Sequence, residues 1–114
     1  MHDGSSPREA LQRARHETEL QIAALTRDLT GVIDASRSSN ADDEHDPEGA
    51  TIAFERAQVA ALLSAARRRL AELDAAGERL DGGTYGRCER CGSPIPAERL
   101  AVRPSARTCV SCAR

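Results

Sequence analysis

The sequence predicts an all-α-dominated fold, in which an antiparallel coiled-coil helical hairpin precedes a small C-terminal module built on four cysteines. Three observations predict it. Apolar residues recur at steps of three and four along two stretches of similar length. A polar, acidic break separates those stretches. The last third of the chain carries two Cys-x-x-Cys pairs.

Composition supports narrow seams over a broad core. Charged residues make up 30% of the 114 residues and aromatics only 2%. Such a chain can align Ala and Leu along helices but cannot build a roomy apolar pocket, which counts against a small-molecule enzyme. No nucleophile–base pair stands out either. The net charge of −2 gives no global basic footprint, so direct DNA binding is not expected. All sixteen basic residues are Arg. The N-terminal stretch MHDGSSPREALQRARHE lacks the apolar run of a signal peptide, and no segment reaches membrane-spanning length. The expected location is cytoplasmic, where thiols stay reduced.

The first helix is expected to open at Ser6-Pro7-Arg8-Glu9. Ser6 caps, Pro7 suits the first helical position, and Glu9 completes a Ser-x-x-Glu capping box. Its seam runs through Leu11, Thr18, Ile22, Leu25, Leu29 and Val32, with one long step after Leu11, and the polar run from Arg37 ends it. The second helix starts after Asp46-Pro47, an N-cap followed by a first-position proline, with Glu48 in the positive first turn. Its seam is Val59, Leu63, Ala66, Leu70, Leu73, Gly77 and Leu80, and Gly82-Gly83 punctuates its end. Each helix spans roughly 30 residues, about 45 Å. Seams of matched length can satisfy each other within one monomer; dimerisation through the same seams is the competing arrangement.

The hairpin places ADDEHDPEGAT, residues Ala41 to Thr51, at its tip. Capping accounts for Asp46 and Glu48 but not for Asp42, Asp43 and Glu44, which precede the cap. Solubility or a working acidic tip are the two remaining explanations. Arg67-Arg68-Arg69 sits mid-helix as a solvated face or a partner contact.

Cys88-x-x-Cys91 and Cys109-x-x-Cys112 are separated by 17 residues. Two such knuckles present four thiolates to one tetrahedral Zn²⁺ and leave no position open for water, so a structural zinc is expected. The module is too short and polar to fold without it. Gly92 follows the first knuckle, where an amide must approach sulfur closely. The expected division is 1–83 for the hairpin, with its acidic tip near 41–51, and 84–114 for the zinc finger.

The stretch YGRCERCGSPIPAERLAVRPSARTCVSC resembles the DksA/TraR family of bacterial C4-type zinc-finger transcription factors. Tyr-Gly before the first knuckle and Arg99-Leu100 with Arg103-Pro104 before the second carry the likeness, and the hairpin with its acidic tip extends it. The resemblance implies a non-enzymatic regulator that binds RNA polymerase. The hairpin would enter the secondary channel and bring Asp43, Asp46, Glu48 and Ala50 near the active centre. Arg103 would contact the channel rim, and the alarmone ppGpp would bind at the polymerase interface. The family tip pattern Asp-x-x-Asp-x-Ala here becomes His45-x-x-Glu48-x-Ala50, and the chain stops at Arg114 where larger members continue into a helix. The alternative function is a zinc-ribbon DNA-binding or adaptor protein dimerising through its coiled coil.

Overall fold

The computed structural model describes residues 6–38 and 47–113. Helix α1 spans Pro7–Ser38 and helix α2 spans Pro47–Gly82, so both ends of α1 and both ends of α2 fall within a residue of the predicted stops. The start of α1 is capped as its sequence implies. The Glu9 amide donates to Ser6 Oγ at 3.1 Å, and the Ser6 hydroxyl in turn donates to the Glu9 carboxylate at 3.1 Å. The end of α2 turns through Gly83, whose φ of 81° lies in the left-handed region that a side chain would resist.

Two compact units emerge, one of Met1–Glu17 with Arg69–Arg114 and the other of Thr18–Arg68. In the first unit, Leu11 and Ala14 of α1 pack with Leu73 and Ala76 of α2, and Leu80 and Tyr85 close against them. Ion pairs run alongside. Arg8 meets Asp81 and Arg15 meets Asp74, each at 2.7 Å, so numbering rises on one helix as it falls on the other. The helices are therefore antiparallel, as a hairpin requires. These pairs are about half exposed and contribute little, on the order of 0–1 kcal/mol each. What they add is register.

Within the second unit the seam is thinner. Thr18, Leu63 and Ala66 are buried, whereas Ile22, Leu25, Leu29, Val32 and Val59 are only half-buried. Thr26 and Thr30 turn their hydroxyls back onto the carbonyls of Ile22 and Thr26. That habit satisfies the hydroxyls locally and slightly weakens a helix.

Two small residues refine the predicted seam. Ala14 fills the long step between Leu11 and Thr18. Ala76, at 0% exposure, is the deepest residue of α2, while the expected Gly77 is half-buried beside it. Steps of three and four from Leu73 through Ala76 to Leu80 keep one stripe in phase, and Ala lets the helices approach closely there. A Cβ built on Gly77 would meet nothing within 4 Å, so that position is a notch in the surface and not a tight crossing.

The predicted tip falls largely outside the described residues, which include neither Asp43 nor Asp46. Glu48 lies in the first turn of α2, and Ala50, two residues further on, is exposed. No helix among the described residues is long and apolar enough to cross a membrane.

Candidate metal centre

The polypeptide between Gly83 and Ala113 folds around its knuckles with little regular structure. Arg87 and Pro94 form one antiparallel bridge, helix α3 covers Ala97–Val102, and a single 3₁₀ turn covers Val110–Cys112. Backbone bonds tie the turns together. The Cys88 amide donates to Ser93 O at 2.8 Å, the Glu89 amide to Arg107 O at 2.9 Å, and the Ile95 amide to Gly86 O at 2.7 Å. Gly92, with φ of 75°, closes the first knuckle by donating to Cys88 O at 3.0 Å, so its amide is bonded to a carbonyl where the sequence led us to expect close approach to sulfur.

These turns bring Cys88, Cys91, Cys109 and Cys112 together, all four sulfurs lying within 4.8 Å of one another. None is in a disulfide. Cys91 Sγ and Cys109 Sγ are 3.8 Å apart. Tetrahedral ligation with Zn–S bonds of about 2.3 Å gives an edge of roughly 3.8 Å, so the sulfurs already stand at coordination spacing. Among the described residues they form the one cluster of metal-type ligands.

Electrostatics favour a cation here. The backbone amides of Cys91 and then Cys109 point toward Cys88 and lower its thiol to about 6. Ser93, through its amide and then its hydroxyl, lowers Cys91. Cys112 moves the other way and is pushed up to about 12, chiefly because its thiol donates to the sulfur of Cys109 and then to that of Cys88. The amides thus favour negative sulfur at the first knuckle, and the last thiol resists adding more charge. A divalent cation at the centre removes that conflict and lets all four ionise. With four protein ligands the zinc is structural; it crosslinks the two knuckles and leaves no position for substrate.

The arginines that make the finger basic also clamp it. Arg90 donates to Cys112 O at 3.2 Å, Arg99 to Thr108 O at 2.8 Å and Arg87 to Gly92 O at 3.2 Å, all carbonyls at or beside a knuckle. Arg107 pairs with Glu89 at 3.1 Å. Arg103, the predicted rim residue, lies 3.9 Å from Glu72 of α2 and is mostly exposed. With Arg99, Arg107 and Glu89 these two groups line a hollow of about 250 Å³.

Sequence reasoning missed how this module attaches to α2. Tyr85 donates its hydroxyl to Pro104 O at 2.8 Å, while its ring closes the Leu11–Leu73 cluster. Arg79 reaches Ser105 O at 3.4 Å, and Ser105 and Ala106 are buried. The signal was available in a chain with one tyrosine and no tryptophan, where that residue has few roles other than packing.

Comparison with known proteins places this geometry. Residues 83–114 match the prokaryotic dksA/traR C4-type zinc finger. An uncharacterized protein of Aquifex aeolicus is 52% identical over 44 residues, covering 39% of this chain and 30% of that protein. General stress protein 16O of Bacillus subtilis is 36% identical over 72 residues, covering 63% of this chain and 44% of its own length. The chain thus spans less than half the length of the curated relatives it matches. The structure of transcription factor DksA2 from Pseudomonas aeruginosa superposes with a TM-score of 0.76 at 28% identity, over 92% of this chain and 75% of that one. The likeness thus reaches well beyond the finger into the helical hairpin. By its sequence and its four-thiol site, the segment 83–114 is a zinc finger of the prokaryotic dksA/traR C4 type, and the chain as a whole shares the architecture of the transcription factor DksA2.

Proposed function

We propose that the protein regulates transcription by binding RNA polymerase, without catalysing a reaction of its own. The hairpin enters the secondary channel, and the segment joining α1 to α2 works near the active centre. The observation that carries this reading is the likeness to DksA2 over 92% of the chain, hairpin included. A finger alone is compatible with many partners. A finger on an antiparallel hairpin, shared with the transcription factor DksA2, supports the polymerase reading.

The parts divide the work. Asp43, Asp46 and Glu48, with Ala50 behind them, supply negative charge at the joining segment, where it perturbs the catalytic Mg²⁺ site or the moving elements around it. Arg103 contacts the channel rim. Its partner Glu72 is 3.9 Å away and half exposed, so exchange for a carboxylate on the polymerase costs little. The hollow between them is the place for ppGpp at the polymerase interface, since its lining holds three arginines, Arg99, Arg103 and Arg107, against two carboxylates, Glu72 and Glu89. The free chain is a monomer, its two seams satisfying each other.

Purified protein and core RNA polymerase provide the test. The wild type is expected to co-purify with the polymerase and to alter open-complex lifetime in vitro. The double variant Asp43→Asn, Glu48→Gln is expected to bind nearly as well and to lose that effect. Regulation undiminished in the double variant reduces the acidic segment to a cap and solubilising turn.

A further inference from the structure

Phe54 is the chain's one phenylalanine, and it stands 72% exposed on α2. Folding alone gives no reason for it. The inward face of α2 in this unit consists of Ile52, Val59, Leu63 and Ala66, all buried or half-buried, and Phe54 is not among them. Leu62 follows eight residues later, also 49% exposed. Ala61, just before Leu62, and Ala65, three residues beyond it, are exposed as well. At 100° per residue the four fall on one stripe, about a third of a turn from the inward face. Phe54 and Leu62 lie about 12 Å apart along it. The uncharged Gln58 lies on the stripe between them, and Glu55 borders it on the Leu62 side.

The size of the stripe decides what covers it. One phenylalanine offers on the order of 200 Å², and a half-exposed Leu62 with two alanine methyls adds little. A stable two-chain interface needs roughly 800 Å² from each partner. A second copy of this chain, meeting the stripe face to face, falls well short. A partner that receives the whole hairpin in a channel buries other faces too, and needs from this one only anchors. Exposed residues at i, i+7, i+8 and i+11, large at i and i+8 and small at i+7 and i+11, are the pattern by which a helix seats in a groove.

We infer that Phe54, supported by Leu62, is the apolar anchor that seats α2 against the wall of the polymerase channel, in a groove with an apolar pocket for the phenyl ring. This rests on the polymerase reading above and assigns it a stem contact separate from the acidic segment, the finger and Arg103. The anchor sets affinity; the acidic segment sets effect.

Phe54→Ala and Leu62→Ala, each in the full zinc-loaded chain, test it by titration against immobilised core RNA polymerase, with thermal melting and sedimentation of each variant alongside. Phe54→Ala is expected to weaken binding about tenfold or more and Leu62→Ala less, as truncation of a central aromatic anchor does. Melting should not fall, because the ring makes no buried contact. Wild-type binding matched by Phe54→Ala overturns the anchor and leaves the polymerase reading standing. A wild type that does not bind polymerase overturns both. A dimer in sedimentation that Phe54→Ala dissolves assigns the stripe to a second copy and overturns the inference.

Discussion

The two compact units are built from the same pair of helices yet are held differently. The finger-bearing unit buries Leu11, Ala14, Leu73 and Ala76 in one cluster, flanks it with two ion pairs and adds Tyr85 from the finger. Among its described residues the unit of Thr18–Arg68 buries only Thr18, Leu63 and Ala66, and its remaining seam residues stay half-exposed. Seam periodicity is equally regular in both. Regular spacing therefore sets which residues face inward but not how deeply they are buried; depth follows from what else packs on the same stripe. Here the finger supplies that extra layer. The less buried unit is therefore the one expected to open locally at lower free energy, while the finger-bearing unit keeps its shape.

Metal removal breaks the comparison most severely. Structural zinc in small modules contributes apparent binding energy of about 10–16 kcal/mol. Chelation, or Cys88→Ser, is expected to collapse amide dispersion for residues 84–113 in heteronuclear NMR. Most helical circular dichroism should survive, with Leu11 and Leu73 resonances shifting through loss of Tyr85 and Leu29 resonances unmoved. Loss of nearly all helicity would show that both units depend on the finger. Acid should act in the same direction, because Cys112, pushed up to about 12, must release its proton before it can bind metal.

Core truncation probes the difference in depth directly. Leu73→Ala removes a buried side chain and should cost about 2–4 kcal/mol in denaturant unfolding. Leu29→Ala removes a half-buried one and should cost less than half as much. Equal losses would mean that the two units do not differ in packing energy.

Tyr85→Phe isolates the finger's polar tether and should cost about 0.5–1.5 kcal/mol. The pH dependence has a definite sign. Burial raises the Tyr85 phenol above 10.0, although Arg79 opposes the shift. Its contribution is therefore complete below pH 10.0 and lost as pH rises through the folded value, when a phenolate can no longer donate to Pro104 O. Alkaline titration of the wild type should release the finger side before the rest, and the Phe variant should lack that step.

The smallest effect is a gain. Gly77 has open space around it and no positive φ, so Gly77→Ala should stabilise the finger-bearing unit by about 0.5–1 kcal/mol in thermal unfolding.

The sequence made the helix ends legible because caps and stops are local: Ser6, Pro7, Pro47 and Gly82-Gly83 each act through their own backbone. The zinc ligands were legible because chelation demands short, fixed spacings. Ala14 and Ala76 were harder to see, since a small side chain gives a weak hydrophobic signal even where close approach makes it the best-buried residue. The clamping role of the finger's arginines was not legible, because their carbonyl partners Gly92, Thr108 and Cys112 become neighbours only once the knuckles close. The seating of Tyr85 was hidden for the same reason, because Pro104 lies 19 residues away in the chain.

Tyr85 also gives the protein an optical signature. With one tyrosine and no tryptophan, the near-ultraviolet absorption and emission of the whole chain come almost entirely from a single ring. That ring touches the hairpin core on one side and holds the finger by its hydroxyl on the other. Its emission is accordingly a built-in, label-free readout of whether the two are docked. Zinc uptake and alkaline release can both be followed through it, the first through the ring's packing and the second through its hydroxyl.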